Sequence, residues 1–123
     1  MECPKCHGAM ETVTFKSIAV QRCKNCGGIW FEALQQEHLR AMRGAEAIDT
    51  GDVKVGQQMD ELQHVPCPVC HEPMLRLTDV DHPHLHFESC PVCYGSFFDA
   101  GKFRQYKSHG ILEYIHDLLQ RPG

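Results

Sequence analysis

The alternation of apolar and polar residues predicts two β-hairpins, one in each half of the chain. Their strands are rich in Thr, Val, Ile and Phe, which favour an extended backbone. The predicted strands span residues 10–15, 18–22, 74–78 and 85–89. Lys16 and Ser17 are predicted to form the first turn. Pro83 is expected in the second turn, because proline cannot donate a hydrogen bond within a paired strand.

A different pattern, with apolar residues three or four positions apart, predicts three helices. The first spans residues 32–43 and ends at Gly44, and the second runs from the N-cap Asp99 to Lys107. The third, over residues 111–120, has an apolar stripe that we expect to pack on the other half of the chain or on a partner. That stripe consists of Ile111, Leu112, Ile115, Leu118 and Leu119.

The two halves are copies of one sequence unit. Residues 3–10 read CPKCHGAM and residues 67–74 read CPVCHEPM, an offset of 64. Residues 23–33, CKNCGGIWFEA, recur as CPVCYGSFFDA at residues 90–100, an offset of 67. The three extra residues of the second copy fall in the stretch DVDHPHLH. Each copy therefore predicts a CxxC knuckle, a hairpin, a second knuckle, a glycine and aromatic turn, and a helix.

This organisation predicts a small α+β protein stabilised by metal, with two zinc ribbons and a C-terminal helix. The segment between the ribbons carries five acidic residues and one lysine, and we expect it to be mobile over residues 50–56 and helical for a turn or two of residues 57–64. The predicted units are ribbon 1 with its helix at 1–43, the acidic linker at 44–64, ribbon 2 with its short helix at 65–107, and the C-terminal amphipathic helix at 108–123.

Eight cysteines in four CxxC pairs are the candidate metal ligands. The spacing is C-x2-C-x16-C-x2-C in the first copy and C-x2-C-x19-C-x2-C in the second. One knuckle presents two sulfurs to an ion, and the hairpin brings the second knuckle to complete a tetrahedron. The predicted zinc ligands are Cys3, Cys6, Cys23, Cys26, Cys67, Cys70, Cys90 and Cys93. Four thiolates leave no position open for water or substrate, so both sites are expected to be structural.

Other uses of paired cysteines fit the sequence less well. A disulfide framework needs an oxidising compartment. We expect no signal peptide, because Cys3 stands where the basic and apolar segments of one would be, and no apolar run is long enough to cross a bilayer. We therefore expect a cytoplasmic protein with reduced thiols. A thioredoxin-like CxxC needs a βαβ context, which the predicted elements lack. Iron in a rubredoxin-like site is a minor alternative to zinc.

Histidines close to the cysteines are further candidates. His7 and His71 follow a knuckle in each copy, and we expect them to donate to a neighbouring sulfur or to shield the site rather than to bind the metal. His82, His84 and His86 alternate along the second hairpin, a spacing that places side chains on one face of a strand. They could form a weak third metal site, but a polar, solvated hairpin tip is the preferred interpretation.

Four aromatic residues follow the second knuckles at equivalent positions: Trp30, Phe31, Phe97 and Phe98. We expect them to form the core that covers the hairpin and the start of the helix. The alternative is an exposed platform on which nucleic-acid bases stack.

With these motifs the sequence resembles the bacterial zinc-ribbon family named for the transcription factor IIB-type zinc finger, whose members read roughly CPxC, a short hairpin, CxxCxGxW or CxxCxGxF, an acid and a helix. The first copy matches at Cys3, Pro4, Cys6, Cys23, Cys26, Gly28, Trp30 and Glu32. The second matches at Cys67, Pro68, Cys70, Cys90, Cys93, Gly95, Phe97 and Asp99. Leu34–Gln35 and Gly101–Lys102 replace the glycine–glutamate that commonly follows the acid. The resemblance implies a ribbon fold and zinc binding by the cysteines.

The charge of the chain argues against binding to nucleic acid. Its formal charge is −4, and two zinc ions held by four thiolates each would bring this to about −8. Affinity for nucleic acid rests largely on Lys and Arg neutralising phosphates. A basic patch is nevertheless conceivable in the first copy, from Lys16, Arg22, Lys24, Arg40 and Arg43.

The sequence therefore predicts a structural zinc protein that binds an unidentified protein partner or a second copy of itself, with no membrane association. The alternative is a transcription-related zinc ribbon that binds nucleic acid. We expect no enzymatic activity, because the chain lacks a nucleophile elbow, a phosphate loop and an open metal site. Zinc buffering would need an exchangeable third site at the extra histidines.

Overall fold

A computed structural model describes residues 1–108 of the chain, and six strands and three α-helices lie within them. The strands are β1 Met10–Phe15, β2 Ile18–Cys23, β3 Ile29–Phe31, β4 Leu75–Asp79, β5 His82–Ser89 and β6 Ser96–Phe98. The helices are α1 Gln35–Arg40, α2 Val53–Asp60 and α3 Lys102–Ser108, and a 3₁₀ helix spans Ala45–Ile48. No helix of this part of the chain is long and apolar enough to span a membrane.

Both predicted hairpins form, and they lie at opposite ends of one antiparallel sheet with the strand order β1-β2-β3-β6-β5-β4. In the first hairpin, Lys16 and Ser17 form the two-residue turn with φ values of 45° and 73°. Positive φ at both central positions is the geometry that matches the twist of the flanking strands. The small α+β fold expected for two zinc ribbons is therefore confirmed.

The centre of the sheet joins the two copies. Strands β3 and β6 occupy equivalent positions in the repeat and pair antiparallel, with Trp30 opposite Phe97. The sequence indicated only a glycine and aromatic turn at these positions, because a three-residue strand is recognisable only through its partner. An antiparallel pair of equivalent strands relates the copies by an approximate two-fold axis, so the ribbons share one sheet.

The sheet has a core on each face. One face packs against α1, the 3₁₀ helix and α3. Its buried residues are Val20, Ile29, Phe31, Leu39, Ala45, Ile48, Leu85, Phe98, Phe103 and Tyr106. The other face carries all eight cysteines, with Trp30 and Phe97 buried among them and Val55 and Met59 of α2 packed alongside. All four aromatic residues of the knuckle repeat are thus core residues, as expected.

The second hairpin differs from its prediction. The turn lies at Val80 and Asp81, and Pro83 falls within β5, next to a register shift between Thr78 and Asp79. The strand tolerates Pro83 because the residue sits in this irregular stretch and has no partner in the register. The expectation that Pro83 lies in the turn was wrong.

The helices also differ from their predicted bounds. Helix α1 starts at Gln35 rather than residue 32, because Leu34 adopts a left-handed φ of 64°. Helix α2 begins at Val53, within the stretch expected to be mobile, and the Asp52 side chain accepts a hydrogen bond from the Lys54 N–H as its cap. The helix predicted over residues 111–120 lies outside the described residues.

Helix α3 is capped from the linker and not by its own predicted N-cap. The Asp49 carboxylate accepts hydrogen bonds from the backbone N–H groups of Gly101 and Arg104, at 2.9 and 3.1 Å. The side chain of Asp99 turns instead into the interior, where it meets Lys5. Because Asp49 lies 52 residues before Gly101, this cap could not be predicted from the local sequence.

Candidate metal centres

The first quartet of cysteines comes from two loops on either side of the first hairpin. Cys3 and Cys6 lie in a turn before β1, Cys23 ends β2, and Cys26 precedes β3. The four Sγ atoms lie within 4.8 Å of one another, with 3.7 Å between Cys3 and Cys26 and 3.4 Å between Cys6 and Cys23. Four sulfurs at the usual zinc distance would be about 3.8 Å apart, so the quartet has the size of a zinc site.

The second quartet repeats this arrangement around the second hairpin. Cys67, Cys70, Cys90 and Cys93 also bring their Sγ atoms within 4.8 Å of one another, and the Cys67 and Cys93 sulfurs are 3.7 Å apart. The structure therefore assembles all eight predicted ligands into two four-sulfur groups. Within residues 1–108 these are the clusters of metal-ligating side chains.

Backbone N–H groups of the knuckles point at the sulfurs. In the first quartet Cys23 Sγ accepts from the N–H groups of Asn25 and Cys26, both at 3.4 Å. In the second, Cys67 Sγ accepts from Val69 at 3.4 Å and Cys70 at 3.2 Å. Such contacts stabilise negative charge on sulfur, which is the form that binds a metal.

Contacts within each quartet also lower the pKa of one thiol. The Cys26 thiol donates to Cys3 and lowers the pKa of Cys3 to about 5. Burial opposes ionisation of Cys90, but hydrogen bonds from the N–H groups of Cys93 and Val92 outweigh it and bring that pKa to about 7. In the same quartets the pKa of Cys26 is raised by its contact with Cys3, and the pKa of Cys67 is raised by burial. Each quartet thus combines one sulfur that ionises readily with thiols that a metal would have to deprotonate.

The histidines that follow the first knuckles do not join the quartets. His7 and His71 both adopt a φ of 64°, and their backbone N–H groups close the knuckle turns onto the carbonyls of Cys3 and Cys67. The His7 ring is exposed and lies 3.6 Å from a carboxylate oxygen of Glu2. Their expected role as shields of the metal stays a prediction.

The three histidines of the second hairpin are dispersed. His82 is buried and its Nδ1 contacts the Asp79 carboxylate, whereas His84 is exposed. His86 Nδ1 lies 3.0 Å from the hydroxyl of Thr78. The ring nitrogens do not gather into a ligand set, and burial of His82 means that the hairpin tip is less solvated than expected.

One buried ionic cluster was missed by sequence reasoning. Lys5, the third residue of the first knuckle, is buried, and its Nζ contacts Glu88 and lies 2.9 Å from Asp99 Oδ2 and 3.1 Å from the Met59 carbonyl oxygen. Burial raises the pKa of Glu88, and the charge of Lys5 counteracts that rise. The sequence held one indication of this cluster, a difference between the copies: Val69 stands where the first copy has Lys5.

Two hairpins that each carry a pair of cysteine knuckles define the class of this protein as a double zinc ribbon. The model of the family described as transcription factor zinc-finger matches residues 2–41 and 66–109, most of the chain. The chain therefore belongs to this transcription factor zinc-finger family. Neither the curated proteins nor the solved structures gave a match.

Proposed function

We propose that this double ribbon is a structural module, loaded with two Zn²⁺ ions, that binds another protein. The four-sulfur geometry of each quartet supports the two-ion assignment, since every coordination position of the metal is taken. A saturated zinc ion holds loops together and offers no position for a substrate. We accordingly assign the zinc sites a structural role and no catalytic one.

The main observation that favours a protein partner over nucleic acid is that most of the Lys and Arg side chains in the described residues already pair with carboxylates. Seven of the eleven Lys and Arg side chains in residues 1–108 lie within 4.0 Å of a carboxylate. They are Lys5, Arg22, Arg40, Arg76, Lys102, Arg104 and Lys107. A phosphate would have to displace these carboxylates, so the electrostatic gain that drives binding to nucleic acid is reduced.

The basic patch considered for the first copy is weakened in the same way. Arg22 pairs with Glu11 at 3.0 Å, and Arg40 pairs with Asp81 at 3.0 Å while its guanidinium lies over the Tyr106 ring. Base stacking loses support too, because the knuckle aromatics are buried. The name of the family favours nucleic acid as the second candidate ligand.

An exposed apolar edge supports a protein partner. Strand β4 is an edge of the sheet, where Leu75 is 54% exposed and Leu77 is also exposed. A groove beside β4 is lined by Leu62, Val65 and Met74 among others. Unpaired backbone groups next to apolar side chains are what an added strand of another chain recognises.

The test is a titration of the zinc-loaded protein with labelled DNA and RNA at low salt, with light scattering on a sizing column alongside. We expect no salt-sensitive binding to either nucleic acid. Binding that weakens steeply with added salt would overturn the proposal, because it would reveal phosphate contacts. If light scattering detects self-association, a Leu75→Lys variant would show whether the interface includes β4.

A further inference from the structure

The approximate two-fold axis of the sheet relates each surface of one copy to an equivalent surface of the other, so the residues of the two surfaces can be compared position by position. Residues 49–60 of the linker, which include α2, cover a surface built from both copies. We call this surface the covered patch, and it consists of Lys5, Gly27, Ala100 and Gly101. The sequence offsets of the repeat place its counterpart at Val69, Tyr94, Ala33 and Leu34, which we call the open patch.

The contacts on the covered patch are close. A Cβ added to Gly51 would lie 2.5 Å from the Ala100 Cβ, and one added to Gly56 would lie 2.1 Å from the Ala100 carbonyl oxygen. The Met59 carbonyl accepts from Lys5, and Asp49 caps the N–H of Gly101. The linker therefore contacts this surface repeatedly between residue 49 and residue 59.

The backbone of the open patch matches that of the covered patch. Gly27 and its counterpart Tyr94 have φ values of 78° and 63°, and Gly101 and its counterpart Leu34 have 85° and 64°. A Cβ on Gly95 would lie 3.1 Å from the Phe31 carbonyl oxygen, so the loop of Tyr94 approaches the strand that leads to Leu34. The two surfaces thus share one framework and differ in their side chains.

The open patch is apolar and exposed. Leu34, Val69 and Tyr94 are 61%, 52% and 65% exposed, and Ala33 is exposed as well. Leucine and tyrosine are also unfavourable in the left-handed region, where the covered patch uses glycine. Large apolar side chains in solvent and in a strained backbone indicate a surface that another segment covers.

The chain itself supplies a segment of suitable composition, which includes Ile115, Leu118 and Leu119. Residues 109–123 follow α3 as residues 42–56 follow α1, by the same offset of 67 that relates the second knuckles. Ile115 then corresponds to the buried Ile48, and Leu118 corresponds to Gly51, which lies against Gly27. The covered patch leaves no room for a Cβ at Gly27 or Gly51, since these would lie 2.8 Å from the Gly51 Cα and 2.5 Å from the Ala100 Cβ. With Tyr94 and Leu118 at the equivalent positions, the contact on the open patch would be made between side chains and the segment would lie further from the surface.

We propose that residues 109–123 of the same chain cover the open patch, with Leu118 against Tyr94 and with Leu34 beneath the segment. The contact is apolar, and it covers in the second half the surface equivalent to the one that the linker covers in the first. It is independent of any outside partner and so goes beyond the proposed function.

The experiment is hydrogen exchange of the full-length, zinc-loaded chain, read at the backbone amides of residues 109–123. The variants Leu34→Asn and Tyr94→Asn remove apolar side chains, and asparagine tolerates the left-handed backbone at both positions. Val80→Asn is the matched control, because Val80 is 93% exposed at the hairpin tip, outside the patch. Zinc content is measured for each variant.

We expect amides in residues 109–123 of the wild type to exchange slower than an unstructured chain by about tenfold or more, and both patch variants to lose most of that protection. The control should keep it. Absence of protection in the wild type, or protection that survives both patch variants, would overturn the proposal. Protection that rises with protein concentration, together with a doubled mass, would overturn it in favour of a second copy as the occupant.

Discussion

At the scale of single residues, two glycines determine how closely the copies approach. A Cβ on Gly28 would lie 2.2 Å from the ring of Phe97, and a Cβ on Gly95 would lie 2.2 Å from the ring of Trp30. Each glycine belongs to the copy opposite the ring that it contacts. The repeat motif C-x-x-C-x-G therefore has a packing reason, since the glycine leaves room for the other copy's aromatic residue.

Substituting alanine for either glycine should destabilise the whole sheet. The added methyl group meets an aromatic ring with no space to move, and overpacking of this kind costs about 1–3 kcal/mol. Urea unfolding of zinc-loaded Gly28→Ala and Gly95→Ala measures the loss against Val80→Ala, which changes an exposed side chain. A loss below that of the control would contradict the packing argument.

Lys5 is a second residue whose effect can be measured directly. Replacing it with methionine leaves Glu88 buried without its cation and leaves Asp99 with Lys102 alone, at 3.2 Å. Breaking a buried pair in this way costs about 3–5 kcal/mol. The control is Arg22→Met, because the partly exposed Arg22–Glu11 pair should contribute no more than about 1 kcal/mol. Equal losses of unfolding free energy in the two variants would contradict this assignment.

At the scale of elements, the sequence predicted structure well where the determining contacts are local. The bounds of β1 were predicted correctly, because alternation and a two-residue turn suffice to specify a hairpin. The cysteine quartets were predictable for the same reason, since their spacing reflects knuckle and hairpin geometry. Strands β3 and β6 were not, because each exists only through its pairing with the other copy.

The helices illustrate the same limit. Asp99 has the residue type of an N-cap, yet Lys5, distant in sequence, draws its side chain into the interior, and Asp49 serves α3 instead. Alternation along His82, His84 and His86 was visible, but the register shift in the hairpin that separates their environments was not. Tertiary contacts overrode local preference at these positions.

Removal of the Asp49 cap should loosen α3 and the linker together. The carboxylate accepts two backbone hydrogen bonds and lies 3.6 Å from the Arg104 guanidinium, so Asp49→Ala should cost about 1–2 kcal/mol. Asp52→Ala, which removes an exposed cap from α2, should cost less. Hydrogen exchange of the α3 amides would localise the effect, and unchanged exchange there would contradict it.

At the scale of the whole molecule, the two metal sites are expected to act as one stabilising unit. They lie on the same face of one sheet and share a buried cluster with Trp30 and Phe97. Structural zinc contributes roughly 10–16 kcal/mol of binding free energy at neutral pH, comparable with the stability of an entire small domain. Loss of one ion should therefore affect both copies.

A Cys90→Ser variant tests this coupling. We expect the wild type to bind two equivalents of zinc and to unfold in one transition, and the variant to unfold more readily in both copies, including β1 and β2. Circular dichroism with a chelator titration and hydrogen exchange of the first hairpin are the measurements. A first copy with wild-type stability in the variant would show that the ribbons are energetically independent.

The antiparallel pairing of β3 with β6 has a consequence for the origin of the chain. Trp30 faces Phe97 across equivalent strands, so the contact has the isologous form of a homodimer interface. A single ribbon could have built it with an identical neighbour, and fusion then made that encounter intramolecular and independent of concentration. After fusion each half could change alone. Lys5 in one half and Val69 in the other mark where they differ: Lys5 is buried against two carboxylates, whereas Val69 is exposed.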